Sequence, residues 1–253
     1  MEAFKRFWNR LGRDRTFWLV VIGLFVAYLI LEWQTALSFV VTLIVLIVAV
    51  TVHECAHAWV ANRLGDPTAR YLGRISLNPL VHLDPLGTAM MVLTALTGFG
   101  IGWGKPVPVN SRQLRYGPRV GMGLVSLAGP ASNLILAMVL GLLARAVFAW
   151  GHMTWTLVLL FNAFILTNIA LAFFNLLPVP PLDGYHVLLG LLGLSRSEWS
   201  WRLSRWLSGL ERYGFTILAA VVIFSQLFGL NIIGRLIGPP VSFFYRLALG
   251  QWG

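Results

Sequence analysis

Charge is what this sequence has least of. Only 11% of its 253 residues are Asp, Glu, Lys or Arg, where a soluble domain carries about 25%. With 58% hydrophobic residues and a mean hydropathy of +0.77, there are too few polar side chains to cover a water-facing surface. Composition therefore excludes an ordinary soluble domain and points to an integral membrane protein. Acidic residues are the scarcest, nine against nineteen Lys and Arg. The basic residues lie in gaps between apolar runs, without the aromatic interleaving of a nucleic-acid reader. They read as topology signals, and no nucleic-acid partner is expected. The single cysteine, Cys55, excludes an intrachain disulfide. No small-residue cleavage site follows the first apolar run, 17–31, so a retained span is expected there rather than a signal peptide. No repeat, long linker or low-complexity tract divides the chain. The expectation is one membrane domain over 1–253, with a core at 35–190 and a C-terminal helical extension at 191–253.

What is present is a series of apolar runs: 17–31, 36–60, 86–101, 120–143, 155–177 and 215–233, followed by 241–249, which is too short to cross alone. At 1.5 Å per residue the second covers roughly 37 Å, enough for a hydrocarbon core of about 30 Å. Lys5, Arg6, Arg10, Arg13 and Arg15 place the N-terminus in the cytoplasm by the positive-inside rule. The second span then returns near Arg63, Arg70 and Arg74. A further basic cluster, Lys105, Arg112, Arg115 and Arg119, follows 86–101. If 86–101 crossed, that cluster would lie outside. Its shortness and glycine content favour a dip that returns to the same side, with irregular backbone shielded by protein. The segment 185–212, carrying Trp199, Trp201, Leu203 and Trp206, suits an interfacial helix. The fold class is thus all-α, a polytopic transmembrane helical bundle, with a short membrane-dipping or β-like segment between the second and third full spans.

Within the second run stand His53, Glu54 and His57, the only ionisable groups on an otherwise apolar stretch. Residues i and i+4 lie one above the other on a helix, so both imidazoles can reach one metal ion. Glu54 sits about 100° round from His53, where it can hold a water at the metal and take its proton. A buried, unpaired carboxylate in a membrane is costly, so the cluster reads as a metal site rather than a structural polar patch. Ion or proton transport is the rival reading, against which the outer half of the run offers no ionisable group. Two histidines leave a catalytic zinc short of one protein ligand. Asp183, in Pro178-Val179-Pro180-Pro181-Leu182-Asp183-Gly184, falls at the same membrane side as His57 in this topology. Spacing alone leaves it either the third ligand or a polar turn at a helix end.

These residues, with Gly73–Pro79, His82–Gly87, Gly102–Asn110, Gly129-Pro130-Ala131-Ser132-Asn133 and Asn175–Gly184, resemble the site-2 protease family of intramembrane zinc metalloproteases, in its compact prokaryotic branch without a PDZ domain. The resemblance covers roughly 40–190. It implies that His53, His57 and Asp183 hold one zinc per chain, that Glu54 is the catalytic base, and that Asn175 neighbours the active site and helps bind the substrate carbonyl. It also implies a cell-membrane protease whose active site faces the cytoplasm. Its substrates would be single-span membrane proteins such as anti-sigma factors, with the lipid bilayer as the other partner. The expected chemistry is direct hydrolysis without a covalent enzyme intermediate. An extended substrate could pair with 86–101 or 66–85. A non-proteolytic metal-binding scaffold is the third reading.

The remaining polar residues take quieter expectations. Asn133 reads as packing or support for the site. His82 and Asp84 read as a structural turn, and His186 as a neighbour of the site or a surface group. His152 carries no expected role. Trp103 and Lys105 read as interface anchors, and Cys55 as a small core residue.

Overall fold

A computed structural model of the chain describes residues 33–97, 102–195 and 197–250, together with Leu19, Ile22, Gly23 and Val26. Those four are helical. The rest of the expected first span, 17–31, lies outside the described residues.

The longest apolar stretch without Gly or Pro becomes α1, Trp33–Arg63, which ends where Gly65 takes a left-handed φ of +107. After the short α2, Thr68–Tyr71, comes α3, Pro85–Thr97. Its start is fixed by Pro85 at the first position and by Asp84, whose Oδ1 accepts the Gly87 N–H at 2.8 Å. Helix α4, Pro118–Ala149, is likewise opened by a proline. Helix α5, Trp155–Asn175, is capped by Thr154 and stops short of Pro178, as proline requires. Then follow α6, Asp183–Leu194, α7, Glu198–Leu210, α8, Gly214–Leu227, and α9, Ile232–Leu249.

By length and composition, four helical stretches among the described residues can cross a membrane: Ala36–Arg63, Pro118–Ala149, Trp155–Asn175 and Glu198–Ser225. The last joins α7 to α8. Its first half is amphipathic, with Trp199, Trp201 and Trp206 exposed and the Arg205 guanidinium 3.4 Å from the Trp201 ring centre. An aromatic and basic face of this kind suits the membrane interface.

Two expectations about backbone need correcting. The 86–101 segment is not irregular through its length. It is a regular helix as far as Thr97, of 13 residues, or about 20 Å, too short to cross; residues 98–101 lie outside the described set. The run at 215–233 is not one span, because α8 ends at Leu227 and Gly229 and Asn231 both take left-handed φ values, +60 and 43. Irregular backbone instead flanks α3, at 72–84 and 102–117. The β-like character is one antiparallel bridge, Leu83 to Gly104, with no strand among the described residues.

Two buried charges hold those flanks together. Arg74, read from the sequence as a topology signal, is only 5% exposed. Its guanidinium donates to the carbonyl oxygens of Val81, Lys105 (2.7 Å) and Pro106 (2.6 Å). Asp66, fully buried, accepts from Thr68 N–H at 3.0 Å and from Asn110 N–H at 2.6 Å. Each satisfies its charge with hydrogen bonds and ties the 66–84 chain to the 102–110 chain. These two chains, 66–84 and 102–110, form a platform at one end of α1, in which His82 is buried and bonds the Ser76 carbonyl through Nε2 at 2.8 Å. With Asp84 it forms part of a structural turn.

Helices α1, α4 and α5 pack on one another, and α6 packs on α4. Further from the platform, Ala137, Ala144, Ile165, Ile169 and Ala248 form an apolar core into which α9 fits. Helix α9 runs without interruption through Pro239 and Pro240, and its Tyr245 hydroxyl donates to Asn162 Oδ1 at 2.8 Å.

Candidate metal centre

Helix α1 is regular through His53 and His57, so the i, i+4 spacing puts both rings on the face that meets α4. The ring centres are 4.6 Å apart and their planes lie at 87°. The two histidines sit roughly 9 and 15 Å from the platform end of α1. Asp183 comes from a different place in the chain. Helix α5 ends at Asn175, and the proline-rich stretch after it runs through local turns, Val179 N–H to Leu177 O and Leu182 N–H to Val179 O. That path delivers Asp183 as the first residue of α6, at the same end of the bundle as the histidines. Its Oδ2 lies 3.0 Å from His53 Nε2 and 3.3 Å from His57 Nε2. One ligand atom from each of the three residues falls within 4.8 Å of the others.

The far side of each ring fixes what the near side can do. His57 Nδ1 faces the Val125 carbonyl at 2.7 Å. A carbonyl only accepts, so Nδ1 carries a proton, and in the neutral ring Nε2 presents a lone pair. His53 Nδ1 faces Asn133 Oδ1 at 2.6 Å, with the same result. With both rings neutral, two imidazole lone pairs and a carboxylate oxygen converge. A cation between them relieves that repulsion, and a two-histidine, one-carboxylate set suits zinc.

The opposite wall of the site has been cleared. A Cβ placed on Gly129 of α4 would lie 2.6 Å from His53 Nε2 and closer still to His57 Nε2. Only glycine leaves that space open. One residue on, Pro130 lacks an N–H, so the Ser126 carbonyl receives none from the residue four positions on.

Glu54 is half-buried on the neighbouring face of α1. The extended backbone at 102–110 passes directly beside it: a Cβ on Gly104 would stand 3.0 Å from Glu54 Oε1. The structure thus brings His53, His57 and Asp183 together, with Glu54 next to them. Asn175 is turned into its own helix, its Nδ2 donating to the Leu171 carbonyl at 3.0 Å. Asn133 is fully buried and supports the site through His53. His186 is half-buried on α6, packed edge-on to the Tyr185 ring, and burial lowers its imidazole below the ordinary range. Cys55 is half-buried and offers no ligand to the cluster. Trp103 meets the ring of Phe215 on α8, with centres 6.2 Å apart, and Lys105 is exposed. Sequence reasoning passed over Asn168 of α5, which is fully buried and accepts from Asn133 Nδ2 at 2.8 Å. A lone amide in an apolar run was the available signal.

Comparison with known proteins agrees with this geometry. The profile of Peptidase family M50 matches residues 150–208, which contain Asp183. "Putative zinc metalloprotease YwhC" of Bacillus subtilis is 45% identical over 154 residues, covering 59% of this chain and 68% of that protein. "Putative zinc metalloprotease Rip2" of Mycolicibacterium smegmatis is 32% identical over 221 residues, covering 83% and 81%. Its Mycobacterium tuberculosis namesake is 38% identical over 146 residues, covering 56% and 53%. No solved structure matches the chain. With relatives of this identity aligned along most of their length, and with a convergent metal-ligand set inside a membrane-spanning bundle, this chain belongs to Peptidase family M50, the site-2 protease family of zinc metalloproteases.

Proposed function

We propose that the chain hydrolyses peptide bonds in or beside the transmembrane segments of single-span membrane proteins, using one zinc per chain held by His53, His57 and Asp183. The observation that carries this reading is the convergence of three acceptor atoms from two separate parts of the chain, with Glu54 beside them. A bound zinc supplies Lewis acidity, polarising the scissile carbonyl and making water a nucleophile at neutral pH. Glu54 takes the proton of the attacking water and passes it to the leaving amine. Asn175 releases the Leu171 carbonyl and donates to the substrate carbonyl oxygen as charge develops there. The substrate must be unwound locally, since an intact helix hides its peptide bonds. With α3 helical, the extended backbone at 103–109 beside Glu54 is the segment against which an unwound stretch would lie.

The site end of the bundle carries exposed Arg63, Arg70, Lys105, Arg112, Arg115 and Arg119. By the positive-inside rule we place that end, and so the active site, toward the cytoplasm of a cell-membrane protein. Anti-sigma-factor-like proteins fit the substrate class.

The test compares wild type with Glu54→Gln in detergent, on a single-span substrate, with zinc measured on both. Cleavage should fall by roughly 10²–10⁴-fold while zinc content is kept. A chelator should stop the wild type, and added zinc should restore it. Unchanged cleavage by Glu54→Gln would remove Glu54 as the base. Transport of an ion without cleavage would favour the carrier reading, which the ionisable-free outer half of α1 speaks against.

A further inference from the structure

Asn168 and Asn133 form a hydrogen-bonded chain that links α5, α4 and α1 at one level of the bundle, and its direction can be worked out from its ends. Asn168 Nδ2 donates to the Phe164 carbonyl at 2.8 Å. A carbonyl cannot donate, so the nitrogen of Asn168 must be on that side and its oxygen must face Asn133. Asn133 Nδ2 meets that oxygen at 2.8 Å and the Ala49 carbonyl at 3.1 Å. Both partners only accept, so the oxygen of Asn133 must face His53 Nδ1. Turning either amide over would set like groups against each other inside a buried site, where nothing else can satisfy them: Asn133 and Asn168 are both fully buried.

We propose that Asn168 is a positioning residue for the metal centre. By holding the Asn133 amide in one sense, it obliges His53 to carry its proton on Nδ1 and to keep Nε2 free for the ion. This rests on the zinc site proposed above and adds a residue that touches neither metal nor substrate. His57 supplies an internal contrast. Its Nδ1 is held directly by the Val125 backbone, which needs no side chain to orient it. His53 has its Nδ1 on a side-chain amide, which can turn over, and that amide needs the second amide to fix it. Outer partners of metal-bound histidines typically govern affinity by 10–100-fold.

The experiment uses the full chain purified in detergent, with zinc affinity read by chelator competition and the ligand field read from the visible spectrum of the cobalt-loaded protein. Two variants are compared. Asn168→Leu keeps the volume and removes the acceptor. Asn168→Asp keeps the shape, and in this apolar setting burial favours its neutral acid. One oxygen can then accept from Asn133 while the hydroxyl donates to the Phe164 carbonyl. The expected result is a loss of zinc affinity on the order of 10-fold or more and an altered cobalt spectrum for Asn168→Leu, with Asn168→Asp close to wild type in both. Packing alone would rank the two the other way, since leucine suits an apolar span better than aspartic acid. Wild-type affinity and spectrum in Asn168→Leu, or equal losses in both variants, would overturn the proposal while leaving the zinc site standing. Wild type that binds no zinc would remove the site and this inference together.

Discussion

The two ends of the helical bundle share α4 and α5 and are built by different rules. At the platform end, His53, His57, Asn133 and Asn168 are held by hydrogen bonds of fixed direction, Asp183 faces both imidazoles, and Gly129 leaves the space for them. Toward the other end, Ala137, Ala144, Ile165 and Ala248 of α4, α5 and α9 meet by shape alone, with Tyr245 to Asn162 as a polar contact at the edge. Lipid tails are as apolar as these side chains, so this second end gains from close fit rather than from escape from water. The comparison teaches where the molecule can absorb change. Fit can relax by a few tenths of an ångström. A chain of donors and acceptors cannot relax without leaving a buried group unpaired.

The sharpest way to break that contrast is Gly129→Ala. One methyl group would stand within 2.6 Å of His53 Nε2 and nearer to His57 Nε2, so zinc retention and cleavage should be lost together while the chain still purifies as a membrane protein. Zinc content and a cleavage assay on the same sample check it. Next in size is Arg74→Met, which removes a buried cation and strips the Val81, Lys105 and Pro106 carbonyls of their donor. A cost of about 1–3 kcal/mol is expected, read as a lower thermal midpoint in detergent, together with weaker cleavage as the 102–110 chain loosens beside Glu54. The smallest effect should come from the apolar end. Ile165→Val removes one methylene from a fully buried side chain and should cost about 0.5–1.5 kcal/mol, with zinc affinity and cleavage per folded molecule unchanged. Equal damage to the metal centre from Ile165→Val and Gly129→Ala would erase the distinction between the two ends.

The candidate ligands on α1 were readable because their signal is covalent or energetic. His53 and His57 are bound together by helical pitch, and an ionisable group in an apolar run demands a reason. For Asp183 the basic gaps supplied only the membrane side, and the family resemblance was needed to read it as the third ligand. Asn168 obeys the same logic as Glu54 but lies in Thr167-Asn168-Ile169, just before the motif that begins at Asn175, and the motif drew the attention. Arg74 was illegible for a different reason. In sequence it is one more cation in a basic gap, and its partners are backbone carbonyls, which every residue possesses. The break after α8 was marked by Gly229 and Asn231, both turn formers, but the apolar residues around them read as one continuous run. Whether 86–101 is helical could not be settled by periodicity, since a uniformly apolar segment has no polar face to reveal its pitch.

Helix α9 carries a consequence for how the molecule is made. It seats Ala248 against Gly141 and Phe244 against Phe173, closing a groove between two helices that leave the ribosome long before it. That groove therefore gains its apolar partners only once α9 has been made and has docked. Assembly of this part of the bundle thus waits for a helix that follows both walls of the groove in the chain.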